Sequence, residues 1–103
     1  MANCLNSIIS CSLYSDLKFQ VCVSDNHSTD DTENVVRNAQ SSIDINYHKN
    51  TKNHGHARNF LNVVTMAEGD FIWLIGDDDL LMPYAIEALY KLIDVHHDVD
   101  FFF

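Results

Sequence analysis

Short apolar runs alternate with amphipathic stretches of helical period along these 103 residues, and this alternation constrains the fold more than any other feature. Leu5, Ile8 and Ile9 share one helical face, and Lys18 to Ser24 (KFQVCVS) then alternates as a strand does. A helix through Val35, Val36 and Ala39, a strand over Ile43 to His48 and a polar loop from Lys49 to His54 come next. Ala57, Phe60, Leu61 and Val64 recur at i, i+3, i+4 and i+7, the clearest helical period in the chain. Phe71 to Ile75 (FIWLI) is continuously apolar, as in strands buried on both faces of a parallel sheet. Pro83 suits the first turn of a last helix whose buried face is Ala85, Ile86, Leu89, Leu92 and Ile93, and Phe101 to Phe103 read as the start of another strand.

The fold class that follows is α/β: three layers, α/β/α, around a mostly parallel sheet with right-handed crossovers. Ligands in such sheets bind beyond the carboxyl ends of strands. Asp25 and the run Asp77 to Asp79 both fall at those ends. Ser28, Thr29 and Asp30 compete to cap the helix after Asp25, with acids in its first turn where the helix dipole favours them.

Only three glycines and one proline are present, with no repeat and no low-complexity linker, so a single domain over 1–103 is expected. Fifteen acidic against six basic residues give a formal net charge of −9, which disfavours nucleic acid or an anionic membrane surface as the main partner. Cys4, Cys11 and Cys22 lack metal-ligand spacing and leave an odd thiol, which argues against a disulfide framework and for a reducing cytoplasm. No run approaches the roughly 18 apolar residues of a membrane span, so the expected location is the cytoplasm, or the inner membrane face as a peripheral protein. Cys22 and Trp73 read as core packing.

Successive carboxylates after a buried strand repel one another and raise each other's pKa unless a cation or strong donors compensate. A hard divalent ion, Mg²⁺ or Mn²⁺, does so with one or two carboxylates and the phosphate oxygens of a nucleotide diphosphate. The plainer alternative is a solvated acidic turn capping the helix after Pro83.

Three segments in order carry a family resemblance. VSDNHSTDDT resembles the v-D-x-x-S-x-D-x-T segment of family-2 glycosyltransferases, NHGHARN resembles their N-x-G-x-a-x-x-R-N element, and WLIGDDDLLMP resembles their strand and D-x-D segment before a proline-started helix. The GDDD form is similar to that of abequosyltransferase-like bacterial enzymes that build O-antigen and related surface polysaccharides. The resemblance implies a Rossmann-like nucleotide-diphospho-sugar transferase fold of type A. It also implies a UDP-, GDP- or CDP-linked sugar as donor, Mg²⁺ or Mn²⁺ as cofactor, and a glycan or lipid-linked acceptor.

By that resemblance Asp25 matches the carboxylate that hydrogen-bonds the base, with Asn26 beside it, and Arg58 the arginine reaching the base or diphosphate. Gly55 lets the backbone approach the ligand, though a helix-entry glycine explains it equally. His54 and His56, Asp30 and Thr32 read as solvated, cap or turn residues. Gly76 stands where the first acid of the D-x-D-D pattern is expected. Either Asp78 and Asp79 keep the metal and ribose roles, with Asp77 and Asp78 facing the nucleotide sugar, or the motif slides and Asp77 pairs with Asp79.

Family-2 chains open with a strand that precedes the helix matched here by Asn3 to Ser10, and their general base lies in later sequence. The reading is therefore of a partial domain, 1–103, truncated at both ends, with no catalytic residue of its own. Its first strand, central in the sheet, is missing, and so is the C-terminal half, which leaves unpaired edges that invite self-association. Closing that gap would pair the Lys18 to Ser24 strand with Phe71 to Ile75. Two functions of other classes compete with the enzyme reading: a non-catalytic nucleotide-binding remnant or module completed by another polypeptide, and an acidic α/β interaction domain.

Overall fold

The computed structural model describes residues 1–100. The elements are α1 (Ala2–Ser12), β1 (Val21–Asp25), α2 (Thr32–Ala39), β2 (Ile45–Lys49), α3 (His56–Met66) and α4 (Ala85–Val95). Strands β1 and β2 form a two-stranded parallel sheet, with Val23 opposite Tyr47 and Asp25 opposite Lys49. The α/β class and the parallel pairing agree with the sequence pattern.

Alternation along β1 sorts the layers, because successive side chains of a strand point to opposite faces. Val23 joins Cys4, Leu5, Ile8, Val36, Ala39 and Ile45 in the core, so α1 and α2 cover that face. Cys22 and Ser24 face the other way, toward α3: the Cys22 thiol donates to the Met66 carbonyl at 3.5 Å and the Ser24 hydroxyl to Asn59 Oδ1 at 2.7 Å. Cys22 is accordingly half-buried rather than buried.

Helix α3 corrects the expected inward face. Of the expected stripe Val64 is partly covered, but Phe60 and Leu61 are 52% and 64% exposed and Ala57 is exposed, whereas Asn59, Asn62, Val63 and Met66 are all partly covered. The inward stripe has the same i, i+3, i+4, i+7 spacing, displaced around the helix by about 160°. It wins because Ser24 offers a carbonyl and a hydroxyl that only a polar side chain can pair, and Asn59 takes both.

The largest correction concerns Phe71 to Ile75, which form no strand. Phe71, Ile72, Trp73 and Leu74 are 40–49% exposed, and only Ile75 packs against the core. Trp73 is therefore not core. A buried parallel strand needs neighbours for its backbone N–H and C=O groups, and β1 pairs only with β2 among the described residues. Direct pairing of β1 with Phe71 to Ile75 does not occur. Boundaries also move inward: β1 begins at Val21 rather than Lys18, and β2 at Ile45 rather than Ile43, taking in Lys49.

At the start of α2 the cap position belongs to Asp31 instead of Ser28, Thr29 or Asp30, and its carboxylate accepts from Asn34 Nδ2 at 2.6 Å rather than from a backbone N–H. Asp30 instead accepts from the Thr32 N–H at 3.1 Å and hydroxyl at 2.5 Å, the turn role expected of it. Helix α4 starts at Ala85, two residues after Pro83, with Tyr84 left-handed at φ 64°. Its side facing α1 is only partly covered, and Leu92 is 44% exposed. The strand expected at Phe101 to Phe103 lies outside the described residues.

Candidate functional site

The carboxyl ends of β1 and β2 meet the N-terminus of α3 in one polar corner. Asp25 ends β1, and although it was expected at a ligand rim its side chain is fully covered. Oδ1 accepts from the Ser28 N–H at 2.7 Å and Oδ2 from the Tyr47 hydroxyl at 2.7 Å, with Lys49 Nζ 4.0 Å away. Burial pushes this carboxyl up, but the hydrogen bonds from Ser28 and Tyr47 and the Lys49 charge together hold it below the usual carboxylate range. Tyr47 answers in the opposite sense: burial, then its bond to Asp25, pushes the phenol well above its ordinary value. Asp25 is an ionised carboxylate and Tyr47 its neutral donor.

The turn after Asp25 passes through His27 at φ 70°, a left-handed conformation that His tolerates better than most residues. Asn26 Oδ1 accepts from the His54 N–H at 2.9 Å and from Asn50 Nδ2 at 3.2 Å, and Asn26 Nδ2 donates to Asn53 Oδ1 at 2.9 Å. Asn53 Oδ1 also accepts from the Gly55 N–H at 2.8 Å. Three of the expected ligand residues, Asp25, Asn26 and Gly55, are thus brought into one hydrogen-bonded corner.

Gly55 caps α3 at φ 81° and ψ 163°, a region essentially restricted to glycine. A Cβ there would meet nothing within 4 Å, so conformation, not crowding, demands the glycine. Arg58, one turn into α3, is exposed and has no ion-pair partner among the described residues. Its guanidinium is free to fork onto acceptors.

Asp77, Asp78 and Asp79 lie exposed in a second group, and no hydrogen bond or ion pair joins them to the Asp25 corner among the described residues. One stripe of α1 holds their loop. The Cys4 thiol donates to the Gly76 carbonyl at 3.5 Å, Ser7 Oγ accepts from the Leu81 N–H at 3.0 Å, and the Cys11 thiol donates to the Met82 carbonyl at 3.3 Å. Burial, with Asp77, Asp79 and Asp78 adding and the N-terminal ammonium opposing, pushes the Cys4 thiol up and keeps it a donor.

Gly76 supplies the closest approach. A Cβ there would sit 2.9 Å from Asp78 Oδ1 and 3.0 Å from Asp79 Oδ2, and Asp79 Oδ2 also accepts the Gly76 N–H at 2.8 Å. Two carboxylate oxygens from adjacent residues therefore converge over the bare Cα. A hard divalent ion that takes two carboxylates and completes its shell with phosphate and water fits this pair. No group of three or more His, Cys, Asp or Glu gathers into a metal site among the described residues.

Sequence reasoning missed Asn50, Asn59, Asn62 and Tyr47, whose side chains tie the corner together. The signal was present in a run of asparagines at 50, 53, 59 and 62, too dense for an ordinary amphipathic helix and its loop.

A parallel α/β sheet with carboxylates and a glycine-capped helix at its strand ends defines a Rossmann-like domain of the ligand-at-the-carboxyl-end type. Over residues 1–102 the sequence matches glycosyl transferase family 2, and the chain belongs to that family. It is 38% identical over 87 residues to abequosyltransferase RfbV of Salmonella typhimurium, covering 82% of this chain and 26% of that protein. It is also 38% identical over 72 residues to the GalNAc(5)-diNAcBac-PP-undecaprenol beta-1,3-glucosyltransferase of Campylobacter jejuni, covering 68% and 23%. An uncharacterized glycosyltransferase of Mycoplasma pneumoniae is 28% identical over 91 residues, covering 82% and 30%. The chain thus spans between a quarter and a third of the longest-covered relative and about a quarter of the others. No solved structure matches. No helix among the described residues is long and apolar enough to cross a membrane.

Proposed function

We propose that this chain is the nucleotide-diphospho-sugar-binding portion, 1–103, of a glycosyltransferase that passes a sugar to a glycan or lipid-linked acceptor of the surface-polysaccharide kind. Membership of family 2, together with the gathering of Asp25, Asn26 and Gly55 where β1 and β2 end, carries the reading. The names of two relatives point the same way: one is an abequosyltransferase, the other a glucosyltransferase acting on an undecaprenol-linked glycan. UDP-, GDP- and CDP-linked sugars are the candidate donors.

Each residue then has a role its chemistry suits. Asp25, ionised and held by Ser28 and Tyr47, accepts a ring N–H of uracil or guanine, or the exocyclic amine N–H of cytosine, once the turn at His27 and Ser28 shifts to uncover it. Asn26 keeps one amide N–H free for the ligand after its bond to Asn53. Arg58 neutralises the diphosphate or stacks on the base. Asp78 and Asp79 would hold Mg²⁺ or Mn²⁺, with Asp77 toward the ribose or sugar; the bound ion supplies charge neutralisation of the diphosphate leaving group. Isothermal titration calorimetry with UDP, GDP and CDP, with and without metal, tests this. Metal-dependent binding of one nucleotide is expected, equal binding in EDTA removes the metal from the scheme, and binding of none overturns the reading.

One observation favours a module completed by another polypeptide: Phe71 to Leu74 expose 40–49% of their surface and have no strand partner among the described residues. A chain in which that surface is covered only on mixing with a second polypeptide would identify this form by size-exclusion chromatography.

A further inference from the structure

Asn50 is one of two buried polar residues among the described residues, only 4% exposed, and it lies outside every motif that carried the family resemblance. It follows β2 directly, and its backbone N–H donates to the Asp25 carbonyl at 2.8 Å, continuing the parallel ladder by one step. Its side chain then spans the whole corner. Nδ2 donates to Asn26 Oδ1 at 3.2 Å and to Asn59 Oδ1 at 2.9 Å, while Oδ1 accepts from Asn62 Nδ2 at 3.3 Å. Its carbonyl oxygen lies 3.1 Å from His27 Nδ1.

Each of these contacts leads to a different part of the nucleotide corner. Asn26 and His27 form the turn after Asp25, and Asn59 and Asn62 stand on the helix that carries Arg58. A primary amide can do this because it donates twice and accepts at the same time. A hydrophobic residue would leave the Asn26 and Asn59 carbonyl oxygens with one donor each, from the His54 N–H and the Ser24 hydroxyl, and cut the link between them, and an aspartate would set its own oxygens against them. No other side chain among the described residues bonds both the Asp25–Ser28 turn and the inner face of α3.

The geometry points to Asn50 as the positioning residue that sets nucleobase selectivity in this corner, by fixing the Asn26 turn against the inner face of α3. The inference rests on the proposed nucleotide site and adds to it the element that makes the site discriminate between bases. Released from Asn50, the turn keeps its Asp25 anchor and the Asn26 bonds to His54 and Asn53 at the α3 entry, but loses its brace against the inner face of α3 at Asn59 and Asn62. A nucleoside diphosphate would still meet Arg58 and the acidic loop, so affinity would persist while base discrimination collapsed.

The test compares Kd values for UDP, GDP and CDP, each with Mg²⁺, in the full chain and in Asn50→Ala, the near-isosteric Asn50→Asp and Asn62→Ala, with thermal melts to confirm folding. Both Asn50 variants are expected to weaken the preferred nucleotide about tenfold, the scale of one or two net hydrogen bonds, and to narrow the spread among the three. Asn62→Ala removes the α3 contact farthest from the turn and is expected to keep the spread. If Asn50→Ala does not fold, Asn50→Asp reads the same quantity. A retained spread in a folded Asn50 variant overturns the inference, as does an equal collapse in Asn62→Ala, which would mean that the network only holds the helix. Equal binding of all three nucleotides by the unaltered chain overturns it while leaving the proposed function standing; binding of none overturns both.

Discussion

The Tyr47 hydroxyl donates to Asp25 Oδ2 across 2.7 Å, between adjacent parallel strands in which Asp25 is itself paired with Lys49. Tyr47 and Asp25 share a sheet face because they are diagonal neighbours in a register of period two. The bond gives a buried carboxylate a neutral donor beside the Ser28 N–H, so most of its charge is met by hydrogen bonds, with the half-buried Lys49 ammonium 4.0 Å away adding to them.

Asp25→Ala is accordingly expected to lower stability as well as nucleotide binding, in contrast to a purely ligand-facing role. Hydrogen bonds to charged groups contribute about 1.5–3 kcal/mol, and the change leaves the Tyr47 hydroxyl unpaired. Urea denaturation should show a lower midpoint for Asp25→Ala and a smaller drop for Tyr47→Phe, which leaves the Ser28 bond intact. An unchanged midpoint for Asp25→Ala would contradict the buried role.

Acid stability should report the same contact. Because the folded Asp25 carboxyl lies below its ordinary value, its contribution is fully present above about pH 4 and is lost as pH falls through the lowered folded pKa. Tyr47→Phe removes one of the effects lowering it, so the acid-dependent loss should be smaller and complete at a higher pH. Circular dichroism across an acid titration of both proteins measures the displacement.

Gly76→Ala is expected to weaken metal-dependent nucleotide binding with little loss of stability. The new Cβ would meet Asp78 Oδ1 at 2.9 Å and Asp79 Oδ2 at 3.0 Å, and exposed side chains of this kind give way by moving apart. Calorimetric titration of Mn²⁺ in the presence of nucleotide, set beside Asp78→Ala and Asp79→Ala, would show whether separating the oxygens is as harmful as removing them.

Arg58→Ala and Gly55→Ala separate ligand chemistry from backbone strain. Arg58 is exposed and unpaired among the described residues, so its loss should change stability by no more than about 0.5 kcal/mol while weakening nucleotide binding. Gly55→Ala should cost about 1–3 kcal/mol, since φ 81° with ψ 163° strains any other residue. Thermal melts and binding isotherms on the two variants should show opposite profiles.

Exposed Phe71, Ile72, Trp73 and Leu74 form a patch that invites pairing between copies. Trp73→Asp is expected to reduce self-association, read as a shift toward the monomer in sedimentation velocity, without lowering the melting temperature. A lower melting temperature would mean that Trp73 is buried.

Sequence by itself determined what depends on local order. The periods through Leu5 and Ile8, Val36 and Ala39, and Ile86 and Leu89 placed helices where α1, α2 and α4 lie, and the alternating runs around Val23 and Ile45 placed two strands with Asp25 at the end of the first. Asp25 and Gly55 were legible for the same reason, since a strand end and a helix entry are local features. Tertiary structure decided the rest. The continuous apolar run at Phe71 to Ile75 says only that those residues would accept burial; strand formation requires a neighbour to pair their backbone, and β1 pairs with β2 instead. Likewise α3 carries two stripes of the same period, Ala57 to Val64 and Asn59 to Met66, and nothing local chooses between them. The choice fell to the unpaired polar groups of Ser24 and Asn50, which turned the asparagine stripe inward because a buried donor or acceptor without a partner costs more than an exposed Phe60 or Leu61.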